Sequence, residues 1–61
     1  MKIEIGDIVN VKDLVDGGHW KGKVTDIHNN GREITVQDKG INFAEINVED
    51  LKFIDGEYWE R

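Results

Sequence analysis

The sequence contains no cysteine, no proline and no serine in its 61 residues. Without cysteine there are no disulfides and no cysteine-ligated zinc. Without serine or cysteine the commonest nucleophiles are gone, and the hydroxyls left are Thr25, Thr35 and Tyr58. Long apolar runs are missing too. None exceeds two residues, against the roughly 20 needed to span a bilayer. The N-terminal Met1-Lys2-Ile3-Glu4-Ile5-Gly6-Asp7 has no apolar core of the kind a signal peptide needs. Positive charge is also scarce: 8 basic residues stand against 13 acidic ones, for a net charge of −5. Such a balance opposes nonspecific nucleic-acid binding, which requires neutralised phosphates. These absences lead us to expect a cytoplasmic protein of a reducing compartment that does not engage membranes. No nucleophile–base pairing or phosphate-cradling loop is suggested, so neither enzymatic activity, a metal nor a cofactor is expected.

A chain this short buries only about 60% of its unfolded surface. We read residues 1–61 as one domain, with its core at about 5–55 and a C-terminal tail at 56–61. The acidity is uneven. Residues 1–30 hold four basic and five acidic side chains, and residues 31–61 hold four and eight.

What is present is a series of short runs rich in β-branched residues, separated by turn residues, which predicts a small all-β fold. The runs are Ile8 to Lys12, Trp20 to His28, Arg32 to Gln37, Ile41 to Ile46 and Lys52 to Ile54. Gly17-Gly18 and Asp38-Lys39-Gly40 read as turns. Val48-Glu49-Asp50-Leu51 reads as a short 3₁₀ turn before the last strand. Asn30-Gly31 is the strongest hairpin signal, because a type I′ turn needs positive φ at both central residues. Pairing outward from it sets His28 against Glu33 and Ile27 against Ile34. The same register then opposes Thr25 to Val36. One extra residue near Thr25-Asp26 would return Val24 to the face of Val36, so we expect a β-bulge there. The expected core is Val9, Val11, Val24, Ile27, Ile34, Val36, Phe43, Val48, Leu51 and Ile54, with Ile8, Ile41, Ile46 and Phe53 as further candidates.

Gly6-Asp7-Ile8-Val9-Asn10-Val11, Gly17-Gly18, Lys21-Gly22-Lys23-Val24-Thr25-Asp26-Ile27 and Ile34-Thr35-Val36 together resemble the SH3-like barrels of the KOW and Tudor type. The closing Asp50-Leu51-Lys52-Phe53-Ile54 resembles their last turn and strand. The resemblance implies a five-stranded SH3-like barrel over roughly residues 5–55. KOW domains are typically basic, whereas this chain is acidic. Tudor domains read methylated side chains with an aromatic cage; Trp20 and Phe43 fall near such positions, with Asp16 or Glu45 as the acidic neighbour.

Trp20 reads either as a binding platform at a loop mouth or as a lid on the barrel. Tyr58 and Trp59 either fold back onto the barrel or anchor a partner or a second copy. His28 is expected to pair with Glu33 across the hairpin. Two functions follow. The first is a non-enzymatic protein-interaction module, such as an accessory or regulatory factor of a phage or mobile element. Its contacts would be Trp20, Phe43, Tyr58 and Trp59, and Glu45, Glu49, Asp50, Asp55 and Glu57 would steer a basic or extended partner. The second is a KOW-like nucleic-acid-binding module using Lys12, His19, Trp20, Lys21 and Lys23, since basic residues interleaved with an aromatic suit single strands. The protein is expected to be a monomer or a weak homo-oligomer.

Overall fold

Alternating β-branched residues make Ile8–Lys12 the first strand, β1, and His19–His28 the long second strand, β2. Glu33–Gln37 forms β3 and Phe43–Asn47 forms β4. A 3₁₀ turn at Val48–Asp50 leads into β5, Leu51–Ile54, and Glu57–Glu60 forms β6. The computed structural model describes residues 2–61. All six strands belong to one sheet, in the order β4-β3-β2-β1-β6-β5, curled into a half-barrel.

The β2–β3 hairpin follows the sequence pattern. His28 pairs with Glu33, Ile27 with Ile34 and Val24 with Val36, and the register slips between Val24 and Asp26. Thr25 is the inserted residue of the bulge. Its hydroxyl accepts a 2.8 Å hydrogen bond from the Gln37 side-chain amide. At the turn, Asn30 and Gly31 have φ of 57° and 81°, the left-handed values a type I′ turn requires, and Arg32 N–H donates to Asn29 C=O.

The expected strand count needs correction. There are six strands, and the stretch read as a tail is β6. Asp55 and Gly56 take φ of 51° and 84°, forming a tight two-residue turn that folds β6 back along β5. On its other side β6 runs parallel to β1, with Val9 beside Tyr58 and Asn10 beside Trp59. The first and last strands therefore lie side by side within the sheet.

The concave side holds Ile3, Val9, Val11, Val24, Ile34, Val36, Ile46, Leu51 and Tyr58, with Trp20, Ile27, Ala44 and Val48 packed against them at partial burial. Two expected core residues are not there: Phe43 is 61% exposed and Ile54 43%. The cause at Phe43 is the preceding loop. The Asp38 carboxylate accepts hydrogen bonds from the Gly40 and Asn42 backbone N–H groups and from the Asn42 side chain. That closes residues 38–42 into a loop and starts β4 at Phe43, so Ala44 and Ile46 point inward. Ile54 stands on the outer face because Leu51 enters the core from the other side of a pleated strand. Gly22 is required by packing. A Cβ there would lie 2.8 Å from Gln37 C=O and 2.9 Å from both Trp20 and Val36 side chains.

Candidate functional site

Strand alternation decides which of the expected contact residues share a face. Trp20 and Gly22 point to the concave side with Val24. Lys21 and Lys23 therefore point outward, and so does His19. The ladder pairs Lys12 with His19, Asn10 with Lys21 and Ile8 with Lys23. Lys12, His19, Lys21 and Lys23 thus come together on the outer face of β1 and β2, as a basic stripe. Trp20 does not join them: it is half-buried against the core, where it covers Val11 and Val36 from one end.

Trp59 is the aromatic that does stand on that face. It lies beside Asn10, and its ring meets the His19 imidazole edge-on at 5.1 Å. Tyr58, one residue earlier, points the opposite way. It is 4% exposed, its ring packs edge-on against Phe53 at 4.8 Å, and its hydroxyl donates to Lys2 C=O at 3.4 Å. Burial first, and then the charges of Asp7 and Glu4, raise the Tyr58 phenol above the usual tyrosine value.

Glu57 faces outward between these groups. Its carboxylate accepts two hydrogen bonds from the Lys21 ammonium, at 2.8 and 3.0 Å, and one from the Asn10 side-chain amide at 2.9 Å. The Lys21 bond, then the Asn10 bond, hold Glu57 below the usual glutamate value. Asn10 is 4% exposed and also donates to Tyr58 C=O at 3.1 Å. A buried amide with two acceptors on β6 ties the first strand to the last.

The other end of the outer face is acidic. His28 Nδ1 lies 3.6 Å from Glu33, and its Nε2 lies 3.2 Å from the Thr35 hydroxyl and 3.8 Å from Glu45. The His28–Glu33 contact is the one that hairpin pairing implies. Phe43 and Glu45 project outward from β4, opposite Gln37 and Thr35. Glu49 and Asp50 sit exposed in the 3₁₀ turn that follows, and Asp55 in the β5–β6 turn. Of the expected protein-binding set, Phe43 and Glu45 adjoin each other on one strand, and Glu57 and Trp59 adjoin each other on another. Tyr58 belongs to the core.

A groove of about 680 Å³ opens on the outer face, lined by Ile8, Lys21, Lys23, Thr25, Gln37 and Lys39 among others. Lys39 and Asn10 were not singled out in the sequence. Lys39 lies in a turn whose closure depends on Asp38, and Asn10 looks like any polar residue of an alternating strand. Asp55-Gly56, by contrast, carried a readable turn signal. Among the described residues no group of three His, Cys, Asp or Glu is placed to hold a metal ion, and no helix is long and apolar enough to cross a membrane. No protein family, curated protein or solved structure matches this chain.

Proposed function

We propose that this protein is a non-enzymatic protein-interaction module of the SH3-like barrel kind, which takes an extended basic segment of its partner as an added strand beside β4. The β1–β4 meander followed by a 3₁₀ turn supports the kinship; the parallel β1–β6 pairing is a departure from it.

One observation carries the reading: β4 is an open sheet edge that presents Phe43 and Glu45. The hydrogen bonds Asp38 N–H to Asn42 C=O and Val48 N–H to Arg32 C=O set the phase of the β3–β4 ladder. In that phase the even-numbered residues of β4 bond to β3, and the backbone groups of Phe43, Glu45 and Asn47 turn away from the sheet. A strand docking there satisfies those groups and places its own side chains beside Phe43 and Glu45, the recurring mode of strand addition. An apolar residue fits opposite Phe43 and a Lys or Arg opposite Glu45. Glu49 and Asp50, just beyond the strand, add attraction for a cationic segment. Pairing of β4 with β4 of a second copy in full overlap sets Glu45 against Glu45, which is destabilising. The edge is therefore better suited to a basic stranger than to itself.

Titration of ¹⁵N-labelled protein with an eight-residue peptide of alternating Val and Lys tests this. Amide shifts are expected along Phe43–Asn47, and Glu45→Lys should weaken binding by about tenfold, the equivalent of roughly 1.4 kcal/mol. A Val–Glu peptide should not bind. Shifts that avoid β4, or an affinity that ignores Glu45→Lys, would end the proposal.

A further inference from the structure

The basic groove on the outer face has chemistry of its own. Its lining holds three lysines, Lys21, Lys23 and Lys39, over an apolar floor at Ile8, with the side-chain amide of Gln37 and the hydroxyl of Thr25 between them. Lys21 is engaged by Glu57. Among the described residues, Lys23 and Lys39 make no ion pair. Asp38 also lines the groove, but its carboxylate is turned into its own loop by bonds from Gly40 and Asn42.

Two aromatics flank this groove on the same face. One cross-strand row runs Ile8, Lys23, Gln37, Phe43, and the neighbouring row runs Lys21, Asn10, Trp59. Trp59 on β6 and Phe43 on β4 are four strand spacings apart, about 19 Å along the sheet. The lysines lie between them, and successive outward residues on β2 repeat every 6.6 Å or so.

We infer that this face is a binding site for single-stranded nucleic acid, with phosphates on Lys23 and Lys39 and bases stacked on Trp59 and Phe43. Lysines are point charges suited to phosphate, and a flat aromatic face takes a base without regard to its identity. An acidic peptide would use the lysines but leave the two aromatics without a partner. A duplex hides its bases from them. The net charge of −5 does not forbid the site. Of the acidic residues of the outer face, Asp26 and Glu33 gather at the opposite end of β2–β3, Glu45 lies one outward position beyond Phe43 and Glu57 is paired with Lys21; at physiological salt charges more than about 8 Å apart are largely screened from each other. Trp20, the aromatic adjacent to the lysines in the chain, plays no part because it faces the core.

The test uses fluorescently labelled oligo-dT of eight nucleotides, a duplex of the same length and an oligo-glutamate of equal charge. Oligo-dT is expected to bind weakly, with Trp59 emission quenched and amide shifts at Lys23, Gln37 and Lys39. With two unpaired lysines on phosphates, the slope of log K against log salt should be about −1.4. The exposed pair of changes Lys23→Glu and Lys39→Glu should lower affinity at least about tenfold and flatten that slope, in a chain whose circular dichroism is unchanged. Trp59→Leu should weaken binding while preserving the salt slope. Binding of the duplex or of oligo-glutamate as tightly as oligo-dT, or affinity insensitive to the lysine changes, overturns the inference. So does an absence of shifts in the groove at low salt and millimolar oligonucleotide.

Discussion

Asn10, Lys21 and Glu57 form a hydrogen-bonded cluster, and each comes from a different strand. Nothing in the chain between positions 10 and 57 announces that they meet. Their meeting has a pH signature. Glu57 is held below the ordinary glutamate value by the Lys21 bond first and the Asn10 bond second. A carboxylate whose value is depressed on folding stabilises the fold above its unfolded value, about 4.3, and loses that contribution as pH falls through the folded value. Thermal stability should therefore decline on acidification below about pH 5. Asp13 and Asp38, also depressed by hydrogen bonds within their loops, add to the decline. Glu57→Gln should make the decline shallower without abolishing it, as read by melting temperature from pH 7 to pH 3. Parallel curves for the two proteins would show that the contact does not contribute to folding.

At the scale of elements, the hairpin from β2 to β3 was legible down to its bulge. Ile27, Ile34, Val24 and Val36 can share one face only if a residue is inserted, and Thr25 is that residue. The C-terminal strand is hidden from local pattern for a corresponding reason. Glu57-Tyr58-Trp59-Glu60 has the same alternation, but it follows a very short β5 and makes sense only once β1 is available on its other side. The Asp55-Gly56 turn is its one local signal. A chain ending at Gly56 should consequently fail to fold. It would lose Tyr58 from the core, and deletion of a large buried aromatic costs about 3–5 kcal/mol, as much as a core of this size supplies in all. Loss of amide dispersion in the truncated chain is the expected result; a well-dispersed spectrum would mean that β6 is the tail its position suggests.

At the scale of the whole molecule, an open half-barrel leaves two strand edges, β4 and β5, where pairing with other chains is a hazard. Glu45 at the middle of β4 and Lys52 on β5 are the charges that guard them. Replacing Glu45 with Val should produce concentration-dependent association in sedimentation where the wild-type chain shows less; equal behaviour would leave Glu45 no protective role. The all-β class, the positions of most strands, the β2–β3 register and the 3₁₀ turn are readable in the chain alone, because alternation, turn chemistry and Asn-Gly act over a few residues. The sequence also brings Lys12, His19, Lys21 and Lys23 to attention as a group. Which face four of the aromatics occupy is settled by the tertiary structure: Trp20 and Tyr58 inward, Phe43 and Trp59 outward. That choice depends on where a loop releases the chain into the sheet and on which strand lies alongside. Both are set by contacts between residues up to 56 positions apart, a separation over which local pattern carries no information.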